Sequence, residues 1–423
     1  MTRTHDRRPR PYDYQVKSIE FLRARHRSIL AHDPGLGKSM VSILAADLPA
    51  LVVAPASVKI NWRREIETWR RRSTRAWDVV SYADSNLDQV DPRQYKTLVV
   101  DEVHYVKNPE AKRSRLVCGL IRKVGKKGRV FALSGTLVPN RPIELWPLLY
   151  AMRVTRRSFA GFALKFAAAY ENEWGELDVR GASNLPRLRR LLRPHCLRYR
   201  KGDVLPELPD KTWRVMALDL PVPSREKDFS LRDLRRMREP VAFEAMSDVL
   251  KLHGQRKVPL AAQHVKDLLE AVPKVILFAH HRDVIHALAG ELKRYHPVMV
   301  MGGQTPRRRQ AAVDRFQEQG SRTRLFIGQV EAAGVGLNLT AASHVVFAEA
   351  SWVPSTLEQA ADRAHRIGST GNVTVDLLTI SGSIDEHMLR RALEKKEVVD
   401  QVVPENHPFT PDEVGARILY SRD

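Results

Sequence analysis

The sequence of 423 residues predicts an α/β chain of two tandem lobes, each a parallel sheet flanked by helices, with a helical insertion between them. Short apolar runs alternate with helical patterns from about residue 12 to 150, and again after residue 245. One run leads through a glycine-rich turn, Asp33-Pro34-Gly35-Leu36-Gly37-Lys38-Ser39, into a helical pattern. Another, Thr97-Leu98-Val99-Val100, is apolar throughout, as a strand buried on both faces is, and ends in the acids Asp101 and Glu102.

Taken in order, Ser28–Ala31, Leu51–Ala54, Val79–Tyr82, Leu98–Val100 and Val130–Leu133 read as the strands of the first lobe, residues 1–150. Residues 151–218 are rich in arginine and aromatics and carry helical spacing over Phe159–Phe166 and Leu185–Leu192, which predicts the insertion. Residues 219–244 hold Pro221, Pro223 and Pro240 among many charges and read as a linker. The second lobe, 245–423, has strand candidates at Val275–Ala279, Val298–Val300, Arg324–Ile327, His344–Phe347 and Thr374–Leu378, and no glycine-rich loop of its own.

The order strand, glycine turn, helix suits a nucleotide phosphate. Glycines let backbone N–H groups turn inward, and the helix N-terminus adds positive potential. Lys38 would reach the β- and γ-phosphates, and the Ser39 hydroxyl would bind Mg²⁺. The strict pattern has a glycine where His32 stands, so this stretch alone also fits a plain glycine-rich turn. Asp101 would hold Mg²⁺ through its water shell, and Glu102 would orient and deprotonate the attacking water. Two adjacent acids alone fit a solvated turn equally well; the pairing with Gly37-Lys38-Ser39 favours the catalytic reading. In the second lobe Arg363 and Arg366 are spaced i, i+3 and would share a helix face. They could brace acids or meet a γ-phosphate across the cleft.

A formal charge of +21 points to a polyanionic partner, most simply nucleic acid. No long basic amphipathic segment supports a membrane surface, and no apolar run reaches the ~18 residues of a span. Cys118 and Cys196 have no CxxC partner and read as reduced thiols of a cytoplasmic protein. The histidines show no metal spacing; His280-His281 reads as a loop-shaping pair. Trp62, Trp69 and Trp352 read as packing residues rather than base-stacking platforms.

The ordered set of motifs, from about Tyr12 to Lys396, resembles the Swi/Snf-type ATPases of helicase superfamily two. Tyr14-Gln15 is similar to their adenine-reading Q motif, and Asp33–Ser39 to motif I. Val53–Ser57 with Trp62 and Glu65 resembles motif Ia, Asp101–His104 the DExH box, and Leu133–Thr136 motif III. Ala333–Leu339 resembles motif V and Gln359–Gly368 motif VI. Phe159–Tyr170, Arg198–Leu205 and Phe278–Arg282 resemble the annealing-helicase, HepA-related branch. Pro34, Val103 and Ser369 depart from the family pattern without removing a catalytic group. The resemblance implies tandem RecA-like lobes, ATP and Mg²⁺. It assigns Tyr14, Gln15, Asp33, Gly35, Leu36, Gly37, Lys38, Ser39 and Gly336 to the nucleotide, and Ser39 and Asp101 to the metal. Catalysis falls to Glu102, Arg363 and Arg366, coupling to His104, Ser134, Thr136 and Gln359, and DNA contact to Ser57, Lys59 and Asn338. The implied function is a DNA-dependent ATPase, a monomer moving on double-stranded or branched DNA, with annealing or fork remodelling as further activities. An ATP-switched clamp with little turnover and an RNA helicase are the alternatives.

Overall fold

The computed structural model describes residues 10–386 and Leu389, except 126, 139–140, 173–174, 206, 208–209, 222–239, 334–336, 350–353, 367–368, 370 and the side chains of 240–246, 331, 333 and 354–355. In the first lobe, helix α1 (Asp13–Arg23) leads to β1 (Arg27–Leu30), α2 (Lys38–Ala45), β2 (Ala50–Ala54), α3 (Lys59–Arg70), β3 (Trp77–Ser81), β4 (Thr97–Val100) and β5 (Arg129–Leu133). Every residue of β2 and β4 is buried, as their unbroken apolar runs demand of strands covered on both faces. The insertion adds a small antiparallel pair, β6 (Tyr170–Glu171) and β7 (Leu177–Asp178), and then β8 (Cys196–Leu197). β8 pairs with β1, so the first sheet runs β3-β2-β4-β5-β1-β8, parallel throughout.

The second lobe begins with β9 (Lys211–Leu218) and continues through a long helix, Pro240–Ala271, to β10 (Val275–Ala279), β11 (Val298–Val300), β12 (Leu325–Gln329), β13 (His344–Phe347) and β14 (Val373–Ile380). Its sheet runs β11-β12-β10-β13-β14-β9, again parallel. Besides the small β6–β7 pair, two parts of the span expected as a helical insertion, 151–218, are therefore strands of the main sheets, one in each. β8 is two residues long, too short to register as an apolar run. β9 is an edge strand whose positions are half-buried or exposed and which carries Lys211 and Arg214, so its sequence lacks the buried-strand signature. Most of the expected linker, 219–244, lies outside the described residues; from Pro240 onward it is helix.

Each sheet is packed on both faces. Leu30, Val52, Val99, Phe131 and Leu133 face α1, α2 and α3, whereas Ile29, Val53, Leu98, Val100 and Val130 face the other side. The insertion covers that second face with Phe162, Phe166, Leu188 and Leu192, fully or nearly buried. Each such side chain stabilises the fold by roughly 1.5–3 kcal/mol relative to exposure. Cys118 and Cys196 are free and buried, and burial pushes their thiols up to about 11 and about 12. No helix among the described residues is long and apolar enough to cross a membrane.

Candidate active site

The first sheet places β4, β5 and β1 side by side and parallel, so their carboxyl ends form one edge, where open α/β sheets bind ligands. From β1 emerges the glycine-rich turn. Gly35 at φ +90° and Gly37 at φ +79° hold left-handed backbone that a side chain would strain. Lys38 opens α2, and its ammonium donates to the carbonyls of His32 at 2.7 Å and Asp33 at 3.2 Å. Burial lowers the Lys38 pKa, while Glu102, Asp101 and Asp33 pull it back and Arg366 pushes it down further.

β4 ends in Asp101 and Glu102. The Trp62 indole N–H donates to Asp101 Oδ2 at 2.8 Å, and the Glu102 N–H to Oδ1 at 3.0 Å, so both oxygens are held. Burial, then the neighbouring Glu102, raises the Asp101 pKa to about 6. Glu102 sits at φ +49°, a strained conformation for a residue with a side chain and one that clusters at functional sites. The Tyr82 hydroxyl donates to the Asp101 carbonyl at 2.7 Å and steadies this turn. Glu102 Oε2 is buried with no hydrogen-bond partner and lies 3.3 Å from His104 Nδ1. Burial, reinforced by Lys107, pushes the His104 pKa down to about 4, so the ring is neutral at pH 7.

From His104 a chain of polar contacts leads to the second lobe. His104 Nδ1 lies 3.1 Å from Ser134 Oγ, which accepts the Thr136 N–H at 3.0 Å. The Gln359 amide donates to Thr136 Oγ1 at 3.2 Å across the interface. Beyond Gln359 the helix Pro354–Ala361 ends, so Arg363 and Arg366 do not share a helix face as their spacing suggested. They occupy the turn after it, because the Arg363 carbonyl accepts the Leu339 N–H at 2.9 Å and Asp362 is held by two lysines. Convergence survives the change. The Arg366 stem lies against the glycine turn: a Cβ on Gly35 would stand 3.1 Å from Arg366 Cγ. Burial, then Arg363, lowers the Arg366 pKa to about 9 despite Asp362 and Glu102. Arg363 is also lowered by burial and feels Glu102, Asp362 and Asp101.

Tyr14 and Gln15 sit on the turn. Tyr14 Oη and Gln15 Nε2 each donate to the Leu36 carbonyl at 3.3 Å, and Gln15 Oε1 accepts the Tyr12 N–H. Asp33 points elsewhere: its carboxylate accepts the Lys201 N–H at 3.0 Å. Ser39 is partly buried, on the first turn of α2. Gly336 lies outside the described residues, as does Trp352. Of the expected DNA contacts, Asn338 is exposed, Ser57 is half-buried, and Lys59 pairs with Asp84 at 2.7 Å.

Sequence reasoning missed Lys201 and Lys211. Lys201 is 7% exposed; its ammonium donates to Asp362 Oδ1 at 2.8 Å and to the His365 carbonyl. Lys211 meets the same carboxylate oxygen at 2.8 Å. The run Arg198–Leu205 held the only signal. Together with Pro34, Thr136, Arg200, Glu358 and His365, these residues line a cavity of about 240 Å³ between the lobes. His32, the misfit of the glycine turn, is fully buried: Nδ1 accepts the Tyr199 N–H at 3.1 Å and Nε2 faces Ser18 Oγ at 2.8 Å.

Family models match the chain twice: the SNF2-related domain over residues 75–229 and the helicase conserved C-terminal domain over 260–368. The human protein named DNA annealing helicase and endonuclease ZRANB3 is 31% identical over 420 residues, covering 89% of this chain and 39% of its own length. The Bos taurus SWI/SNF-related matrix-associated actin-dependent regulator of chromatin subfamily A-like protein 1 is 31% identical, covering 92% of this chain and 44% of its own. The chain thus spans less than half the length of these two relatives. A solved structure, the Sulfolobus solfataricus SWI2/SNF2 ATPase core in complex with dsDNA, aligns with a TM-score of 0.41 and 20% identity, covering 94% of this chain and 98% of that one. By both domain matches and by its relatives, the chain belongs to the SNF2-related helicase-like ATPases of superfamily two and is similar to the annealing helicases among them.

Proposed function

We propose that this chain hydrolyses ATP in the cleft between its lobes and uses the cycle to move along duplex DNA. The observation that supports this most is the meeting of both lobes at one spot: Arg366 against Gly35, and Gln359 on Thr136. The donor set suits a triphosphate. Arg363 is buried and Lys38 and Arg366 are half-buried, all three cations whose charge desolvation disfavours, and Glu102 Oε2 is a buried acceptor without a hydrogen-bond donor. Among the described residues no cluster of three or more acidic, His or Cys ligands exists. That suits Mg²⁺, which keeps waters and substrate phosphates and needs few protein ligands. Held by Ser39 and Asp101, Mg²⁺ would supply charge neutralisation at the phosphates.

In this reading the glycine turn and Lys38 bind the phosphates, and Tyr14 and Gln15 shape the base end. Glu102 takes the proton from the attacking water as its oxygen bonds to the γ-phosphorus and the bond to the ADP oxygen breaks. Arg363 and Arg366 donate to the phosphoryl oxygens as charge develops there. His104, Ser134, Thr136 and Gln359 carry the state of Glu102 to the second lobe. Ser57, Lys59 and Asn338 contact DNA phosphates, which fix register without reading sequence; Lys59 would exchange Asp84 for a phosphate. One chain supplies both the glycine turn and the arginines, so a monomer suffices, and its reduced thiols suit the cytoplasm. The relatives' names suggest strand annealing as the outcome of movement.

The test is ATP turnover with duplex DNA, single-stranded DNA and RNA in parallel. Duplex DNA should stimulate most; equal or greater stimulation by RNA would favour an RNA helicase. Glu102→Gln should retain nucleotide binding while turnover falls about a hundredfold or more, the scale of a positioned base. Collapse of nucleotide affinity instead would make Glu102 a binding group.

A further inference from the structure

The insertion carries a second concentration of charge, away from the cleft. A groove of about 770 Å³ is lined by Arg156, Arg157, Lys165, Arg187 and Arg190, over a floor that includes the buried ring of Phe166. No acidic residue lines it. Among the described residues none of these five cations is in an ion pair. Some arginines elsewhere have an acid beside them, as Arg180 has Asp178, Arg129 has Asp47 and Arg214 has Asp376; the groove offers none to its five cations. The four groove arginines are exposed, and the fold sets them there. Leu188 and Leu192 anchor one face of the helix Leu185–Leu192, which turns Arg187 and Arg190, i and i+3, outward together. Ser158 caps the helix Phe159–Phe166 through the Gly161 N–H and fixes the loop bearing Arg156 and Arg157. Residual burial, then repulsion from Arg157 and Arg187, lowers the Lys165 pKa.

We propose that this groove binds the phosphate backbone of duplex DNA and is a second DNA site, built from residues outside the nucleotide cleft. The proposal rests on the reading of this chain as a DNA motor. Unrelieved like charge on one surface is lowered in energy by a polyanion. Four of the five cations are arginines, whose planar forks grip phosphate oxygens through two hydrogen bonds. The groove offers no exposed amide or aromatic side chain for base edges, so its contacts would be indifferent to sequence.

The experiment measures duplex DNA affinity against salt for the full chain. Three forms are compared: wild type, the combined Arg156→Gln, Arg157→Gln, Arg187→Gln and Arg190→Gln variant, and the same four positions changed to lysine. Each arginine that meets a phosphate adds about 0.9 to the slope of log affinity on log salt. The glutamine variant should therefore lose roughly 2–4 of that slope and bind at least about tenfold more weakly at moderate salt. The lysine variant should recover most of the slope, which separates lost charge from lost folding. If wild type does not bind duplex DNA at all, the motor reading fails. If wild type binds and the glutamine variant binds equally with equal slope, the groove proposal alone fails. It also fails if the four arginines govern binding of poly-glutamate but not of DNA, since the groove would then serve an acidic protein.

Discussion

Lys201 ties three parts of the molecule together through one residue. Its N–H binds the Asp33 carboxylate at the glycine turn, and its ammonium binds Asp362 and the carbonyl of His365, the neighbour of Arg366. Lys201 is thus a positioning residue for Arg366. Lys201→Met keeps the length and apolar stem but removes the charge. It should lower kcat at least about tenfold, the worth of one or more charge-assisted hydrogen bonds, with KM for ATP changed little. Equal loss in kcat and affinity would mark a general collapse of the site. Burial holds the Lys201 pKa down at about 8 although Asp362 opposes this, with Lys211, His365, Arg366 and Asp33 also facing it. The protonated form makes these contacts, so activity is present below pH 8 and lost as pH rises through it. Stability moves the other way: between pH 8 and the ordinary lysine pKa the unfolded chain holds a proton that the native state lacks, so this residue's contribution rises with pH. Lys201→Arg should move the alkaline limb of kcat upward; an unmoved limb would assign it to another group.

The glycine turn shows what the linear pattern can and cannot carry at the scale of an element. Its place between β1 and α2 was legible, because an apolar run, two glycines and Gly-Lys-Ser dictate strand, turn and helix. The purpose of His32 was not legible, because its partners Ser18 and Tyr199 lie on α1 and after β8, far away in sequence. With Nδ1 accepting from a backbone N–H, the proton sits on Nε2 and donates to Ser18 Oγ, which donates to the Tyr14 carbonyl at 2.6 Å. His32 thus replaces a glycine's freedom with a tie from the turn to its neighbours. His32→Gly should restore the family pattern and still cost about 1–3 kcal/mol, because the Tyr199 N–H is left unsatisfied. A thermal melt checks this, and an unchanged or higher Tm would contradict it. The strands were legible wherever burial on both faces forces an apolar run. β8 and β9 were hidden by length and by edge exposure, and the end of the helix before Arg363 was hidden because tertiary bonds from Lys201, Lys211 and Leu339 decide it. Asp101, Glu102, Arg363 and Arg366 are distant in sequence and lie within electrostatic reach of one another in the fold, whereas Trp62 on Asp101 and the two lysines on Asp362 depend on contacts that no local spacing encodes.

Two histidines of the first lobe held as neutral rings, His32 buried and His104 half-buried at the cleft, shape the response of the whole molecule to acid. His104 is pushed down to about 4, and His32 well below its ordinary range, both by burial first. Below about pH 6.5 the unfolded chain takes up protons on both that the native state refuses, so stability falls as pH drops from there toward 4. His104 alone accounts for about 3 kcal/mol over this window. Asp362, depressed to about 2 by its lysines despite burial, adds a separate loss below the ordinary carboxylate range. Denaturant unfolding between pH 7 and pH 4 should show the first loss, and His104→Asn should shrink it; a flat profile would mean that these rings are accessible to protons. In the proposed mechanism the two lobes complete one active site. The direct measurement is turnover of Arg366→Ala with saturating duplex DNA beside a nucleotide-binding titration. Turnover should fall roughly 10³-fold or more, the scale of a lost arginine finger, with ATP affinity within a few fold of wild type and little rescue by Arg366→Lys. Wild-type turnover in Arg366→Ala would show that the second lobe does not complete the site and would contradict the motor mechanism.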